Sequence, residues 1–115
     1  MCGSRPDHNW KLYVSDMIQF SEKVLRYTEH QTKQDFLEND LHYDATLRNL
    51  ALIGEAANQI PSEIRDQYPQ VTWRQIIGTR NRIIHDYLGI DDDVIWSIIT
   101  DDIPTLLPTL KSILN

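Results

Sequence analysis

The chain has 115 residues, and its 17 acidic and 11 basic side chains give a net charge of −6 at neutral pH. This length predicts one domain with a single hydrophobic core. The lone cysteine, Cys2, excludes an intrachain disulfide, and no cysteine–histidine spacing indicates structural zinc. The longest apolar runs span only three or four residues, too few for a membrane helix or a signal peptide. We therefore expect a cytoplasmic protein without a membrane anchor, and its acidity argues against a broad non-specific coating of nucleic acid.

Hydrophobic spacing predicts an all-α fold. Apolar residues recur at intervals of three and four, whereas the two-residue alternation of strands is nearly absent. In chain order, the pattern predicts long helices over residues 9–28, 41–59 and 72–87 and from residue 91 onward, with short helices after Thr32 and over residues 62–68.

Several residues mark the expected helix boundaries. Thr72 and Gln75 have the spacing of a capping box, which would open the third long helix. Gly89 predicts that this helix ends near Tyr87, with the glycine in the left-handed conformation. Asp91 and the two aspartates after it suit the positive end of the last helix, and Pro104 predicts a kink or break near residues 100–103.

Four long helices with short connections predict an up-and-down bundle. The expected domain covers residues 9–115 and follows a flexible tail of residues 1–8. Small residues at Gly54, Ala56, Ala57 and Gly78 would permit close helix contact, either between two copies of the chain or within one core.

The segment from Arg80 to Tyr87 carries the candidate chemistry. On a helix, Arg80 falls in the middle of the apolar face that contains Trp73, Ile76 and Ile83. A permanently charged guanidinium at such a position needs an acidic partner or a wet cleft. Either Arg80 is a structural ion pair, for which Glu55 and Asp86 are the nearest candidates, or it serves a site.

His85 adds a group that exchanges protons near neutral pH. Taken alone, it reads as an exposed helix-end histidine, but an arginine and a histidine together suit metal-free RNA cleavage. That reaction needs a base for the 2′-hydroxyl, an acid for the leaving 5′-oxygen and a cation for the phosphorane. Five helical residues rotate by about 140°, so Arg80 and His85 do not share a face. Either the helix distorts before His85, or two copies of the chain build the site.

These residues resemble a known family. Arg80, His85 and Tyr87 match the Arg-x4-His-x-Tyr motif of HepT proteins in the HEPN superfamily, and the segments 52–56 and 87–91 continue the likeness. Asn81 stands where HEPN proteins often carry a polar residue after the arginine. The resemblance extends over about residues 9–114.

The resemblance implies a fold, an activity and a partner. HepT-like proteins are α-helical bundles that dimerise, with the motif lining a cleft between subunits. They are cofactor-free, metal-independent ribonuclease toxins of type VII toxin–antitoxin systems, and the antitoxin is a minimal nucleotidyltransferase. By position, Arg80 and His85 would be catalytic, Asn81 and Glu55 would support them, and Tyr87 would receive AMP from the antitoxin.

Other interpretations stand beside this one. Tyr87 in isolation would pack its ring in the core, and Asn81 is about as well explained as a surface amide. Arg48, Arg74 and Arg82 offer local positive charge on differing faces. A second hypothesis is a non-catalytic helical dimer that binds nucleotide or protein as the partner subunit of the nucleotidyltransferase.

Overall fold

The computed structural model describes residues 6–115, and the side chains of residues 6–8 are not described. The predicted tail of residues 1–8 therefore lies largely outside the described residues, and helix α1 already begins at Pro6. The described chain is all-α, as predicted, and contains no strand. Its helices are α1 (Pro6–Thr28), α2 (Lys33–Glu38), α3 (Asp40–Gln59), α4 (Ser62–Asp66), α5 (Trp73–His85), α6 (Asp92–Ser97) and α7 (Ile103–Leu114).

Helix α3 is central to the bundle. It packs between α1 and α5, and α1 packs in turn against α7. The buried apolar side chains of these helices form a single core; among the most deeply buried are Met17, Phe36, Leu47, Ile53 and Leu110. No helix of the described residues is long and apolar enough to cross a membrane.

The small residues of α3 serve this core. Gly54, Ala56 and Ala57 are all buried within the chain. A Cβ on Gly54 would lie 2.8 Å from the carbonyl oxygen of Ile76 and closer still to the Cβ of Arg80. Gly54 therefore allows α5 to approach α3, and because all three small residues are buried within one chain, they are not free to support contact between two copies. Gly78 differs, because a Cβ there would meet no atom within 4 Å.

The last helix has a π-helical turn at the place where a kink or break was predicted, and it continues without a break. Residues Ile98–Asp102 form a π-helical turn that joins α6 to α7, directly before Pro104. Proline has no N–H to continue the α-helical ladder, and a wide turn accommodates that loss. Asp91 caps α6 by accepting a hydrogen bond from the Asp93 N–H at 2.9 Å, in keeping with the expected role of these aspartates.

Three predicted boundary details are wrong. Thr72 makes no side-chain cap, and the Gln75 side chain donates to Asp102 across 3.3 Å instead of reaching back to Thr72. Helix α5 ends at His85 and not at Tyr87, since the backbone of Asp86 leaves the helical region at φ −147°. Gly89 does not have a positive φ; it closes a 3₁₀ turn over Tyr87–Gly89 and leaves room for the Asp86 carboxylate.

Candidate functional site

Arg80 projects from α5 onto α3 at the point where the two helices approach most closely at Gly54. Its Nη2 pairs with Glu55 Oε2 at 2.8 Å, and its Nη1 donates to Asn81 Oδ1 at 2.9 Å. The side chain is 28% exposed, and its Nε is buried without a hydrogen-bond partner among the described residues. Of the two predicted partners for Arg80, the structure selects Glu55, while the carboxylate of Asp86 lies against Gly89.

Glu55 and Asn81 therefore both bind the guanidinium, which lies where α3 and α5 meet. Glu55 is 45% exposed, so the ion pair borders solvent and is not a buried structural bridge. A fixed, permanently charged fork at a solvent boundary is suited to binding a phosphate. Glu55 and Asn81 orient the fork, and an incoming anion would compete with the Glu55 carboxylate for it.

His85 is the last residue of α5, and its side chain is exposed. No hydrogen bond or ion pair reaches its imidazole from any side chain of residues 9–115, the part of the chain whose side chains are described. Helix α5 is unbroken from Trp73 to His85, so the helix does not distort to bring His85 round to Arg80. The two side chains leave the helix about 140° apart, and Asn81, one turn before His85, shares its face.

Tyr87 lies beyond the helix, in the 3₁₀ turn, and is 40% exposed. Its hydroxyl donates to Asp44 Oδ1 at 2.5 Å. This hydrogen bond is the main cause that raises the pKa of Tyr87 to about 12, and burial and the charges of Asp44 and Asp40 add to it. Tyr87 is therefore a neutral phenol at physiological pH.

The Tyr87 hydroxyl does not lie beside Arg80 in the same chain. Asp44 and Glu55 stand eleven residues apart on one face of α3, or about 16 Å along its axis. Because Tyr87 bonds the first and Arg80 the second, the two are separated by about three turns of α3. The sequence interpretation, with Tyr87 on the Arg80 side of one continuous helix, needed α5 to run two residues further than it does.

Sequence reasoning missed the role of Asp44. The available signal was the spacing of 11 between Asp44 and Glu55, which places two carboxylates on the α3 face that meets α5.

A second tyrosine in this region, Tyr43, donates to Asp92 Oδ1 at 2.7 Å. Burial and that hydrogen bond raise the pKa of Tyr43 well above its usual range. No group of three or more His, Cys, Asp and Glu side chains within residues 6–115 has the arrangement of a metal site.

Apolar side chains flank His85 on the surface. Ile84 is 55% exposed and Leu88 is 97% exposed. Leu41, one turn before Asp44 on α3, is also largely exposed. Ile84 and Leu88 are neighbours of His85 in the chain, and an exposed apolar patch beside a polar site is typical of a surface that another molecule covers.

Comparison with known proteins assigns the family. The model of the family described as ribonuclease HepT-like matches residues 17–113. The protein of Thermococcus cleftensis named "Probable ribonuclease HepT" is 33% identical over 96 residues, which cover 84% of this chain and 87% of that one.

Two further relatives carry similar names. "Putative RNase TTE0752" of Caldanaerobacter subterraneus subsp. tengcongensis is 32% identical over 90% of this chain and 92% of its own. "Putative RNase MJ1380" of Methanocaldococcus jannaschii is 32% identical over 84% of this chain and 88% of its own. No solved structure matches significantly. The family is one of RNA-cleaving enzymes, and the chain belongs to it: this is a HepT-like ribonuclease.

Proposed function

We propose that this ribonuclease is the toxin of a type VII toxin–antitoxin system, acting in the cytoplasm as a metal-independent endoribonuclease. One catalytic domain, residues 9–115, carries the activity. The observation that supports this most directly is the placement of Arg80, whose guanidinium is held by Glu55 and Asn81 at a solvent boundary one and a half turns from His85. RNA brings its own nucleophile, so this site needs no serine or cysteine.

The proposed reaction begins when a neutral His85 removes the proton from a ribose 2′-hydroxyl. The 2′-oxygen then bonds to the adjacent phosphorus, and Arg80 stabilises the negative charge of the phosphorane. The bond to the 5′-oxygen breaks as a protonated histidine gives that oxygen a proton. The products are a 2′,3′-cyclic phosphate and a free 5′-hydroxyl, so RNA with 2′-O-methyl riboses should not be cleaved.

Two copies of the chain would complete the site. Arg80 and His85 leave an undistorted helix on different faces, and His85 has no orienting partner in the described chain. A homodimer formed over the exposed Ile84 and Leu88 would bring a second His85 to the cleft between the two subunits. One imidazole can then act as the base and the other as the acid. Light scattering should show a dimer at micromolar concentration, and a monomer would contradict this part of the proposal.

The ribonuclease activity would be silenced by modification of Tyr87. We propose that a minimal nucleotidyltransferase antitoxin transfers AMP from ATP to its hydroxyl, with release of pyrophosphate. The modified oxygen could no longer donate to Asp44, and the new phosphodiester would lie next to the Asp44 and Asp40 carboxylates. Repulsion would drive the adenylate away from α3 and into the cleft between subunits. Co-expression with the antitoxin should add about 329 Da to the peptide that contains Tyr87, and Tyr87→Phe should stay toxic.

One observation favours the alternative, a non-catalytic dimer that binds nucleotide or protein. Glu55 already occupies one edge of the Arg80 guanidinium, and the chain as a whole is acidic. Expression of the chain alone separates the two hypotheses. A toxin should arrest growth and His85→Ala should abolish the arrest, whereas a binding module should be harmless in both forms.

A further inference from the structure

A polar cleft lies beside the Arg80 site, between α4 and the first half of α5. It encloses about 530 Å³ and opens to solvent. Its polar lining comes from three helices: Asn58 of α3, Ser62 and Arg65 of α4, and Arg74 and Asn81 of α5, with Gly78 on the wall. The reaction proposed above does not use this cleft.

The cleft is joined to the proposed catalytic residues in two ways. Asn81 lines it and also accepts the hydrogen bond from Arg80 Nη1. Arg74, Gly78, Asn81 and His85 are spaced by four, three and four residues, which places them on one face of the unbroken α5. This face rises by about 16 Å from Arg74 to His85, so an extended polymer lying along it would pass from one to the other.

Positive charge is concentrated around the cleft. Residues 62–85 contain four of the seven arginines of the chain but only two of its 17 acids. Among the described side chains, those of residues 9–115, neither Arg65 nor Arg74 forms an ion pair. The Nε of Arg65 is buried and has no hydrogen-bond partner in this part of the chain. Asp66 is the one carboxylate that lines the cleft, so the two arginines leave it with a positive balance.

The composition of the lining indicates what the cleft binds. Arginine forks and amide groups match phosphate oxygens. The only aromatic ring in the lining is that of Trp73, which is 9% exposed and donates its indole N–H to the Tyr68 carbonyl. Base stacking on an exposed ring, the other common way to hold single-stranded RNA, is therefore not offered here.

We propose that this cleft is a second substrate-binding site, which holds the phosphate backbone of single-stranded RNA next to the cleaved bond. Arg65 and Arg74 contact the phosphates, and the strand continues along α5 past Asn81 to His85. Recognition is independent of base sequence, because the contacts are made to the backbone. This inference rests on the proposed ribonuclease function and assigns to it a binding site outside the Arg-x4-His-x-Tyr motif.

The first test measures RNA binding without cleavage. Fluorescence anisotropy with a labelled single-stranded oligoribonucleotide is run on the His85→Ala protein over a series of salt concentrations. Adding Arg65→Gln and Arg74→Gln should weaken binding and lower the slope of log affinity against log salt by about 0.7 for each arginine. Arg26→Gln, which makes the same charge change as each single substitution but on the exposed surface of α1, is the control and should leave the slope unchanged. An unchanged slope in the double variant would overturn the proposal.

The second test uses the open space at Gly78. Because a Cβ at this position meets no atom within 4 Å, Gly78→Glu and Gly78→Gln should both fold, and their side chains, which are nearly equal in size, should fill the cleft to the same extent. The glutamate variant should bind RNA about tenfold more weakly than the glutamine variant, since only glutamate repels phosphate. Equal affinities would show that no phosphate enters the cleft.

The outcomes separate this inference from the proposed function. If the cleft variants lose RNA affinity but wild type cleaves no RNA, the binding site stands and the ribonuclease mechanism fails. If wild type cleaves RNA and the cleft variants keep its KM and its affinity, the inference alone fails. If the variants keep RNA affinity but no longer bind the antitoxin, the cleft recognises an acidic protein surface, and the RNA assignment is wrong.

Discussion

Replacing Gly54 by alanine tests the close approach of α3 and α5 that positions Arg80. The added methyl would lie 2.8 Å from the Ile76 carbonyl oxygen and nearer still to the Arg80 Cβ. Both of these atoms are fixed to the α5 backbone, so the clash cannot be relieved by rotating a flexible side chain. Overpacking of this kind costs about 1–3 kcal/mol, whereas alanine in a helix interior gains only about 0.5–1 kcal/mol over glycine. We therefore expect the cost of the clash to exceed the gain in helix propensity, so that Gly54→Ala destabilises the protein.

Gly78→Ala is the matched control, because it makes the same change in a neighbouring helix where nothing lies within 4 Å. We expect Gly54→Ala to lower the free energy of unfolding by about 1–2 kcal/mol, and Gly78→Ala to raise it by about 0.5–1 kcal/mol. Urea denaturation followed by circular dichroism measures both, and for a chain of this size 1 kcal/mol corresponds to a shift of roughly 3–6 °C in Tm. If the two variants shift stability in the same direction, the helix contact described here is wrong.

Two further perturbations follow from the contacts of the site, and a third follows from the backbone after α1. Glu55→Gln should reduce the free energy of unfolding by no more than about 1 kcal/mol, because both members of the pair with Arg80 are partly exposed; a much larger loss in urea denaturation would mean a buried structural bridge. Asp44→Asn should lower the pKa of Tyr87 from about 12 toward its usual value of 10, seen by absorbance at alkaline pH as the difference from Tyr87→Phe. The raised pKa favours the folded state below about pH 10 and ceases to do so as pH rises through 12, so Asp44→Asn should reduce stability at neutral pH, and an unchanged titration would refute the hydrogen bond. His30 has a left-handed φ of 62°, so His30→Gly should raise Tm by relieving backbone strain, unless the loop after α1 has another conformation.

The helical fold was predictable because hydrophobic periodicity encodes which faces are buried. The wide turn before α7 was predictable from Pro104 because its cause is local: proline lacks the N–H that would continue the helix. The boundaries of α5 were not predictable in this way. Gln75 caps nothing because it bonds to Asp102, 27 residues away, and a local motif such as a capping box carries no information about so distant a partner.

The candidate site, too, was predictable where a local pattern decides it and not where it depends on residues distant in the chain. Arg80, on an otherwise apolar face, predicted either an acidic partner or a wet cleft. The structure shows Glu55 as a partner at a solvent boundary, where the adjacent Gly54 lets the helices meet. The hydrogen bond from Tyr87 to Asp44 depends on where α5 ends, so an error of two residues in that boundary concealed it.

The most direct measurement of the central claim is the cleavage rate of a single-stranded RNA by the purified protein in excess EDTA, compared with that of His85→Ala. The account predicts that wild type cleaves at an undiminished rate with the chelator and leaves 2′,3′-cyclic phosphate ends. Removal of the imidazole should slow cleavage by at least about 100-fold, with an unchanged melting temperature because the side chain is exposed. Loss of cleavage in EDTA, or wild-type cleavage by His85→Ala, would contradict it.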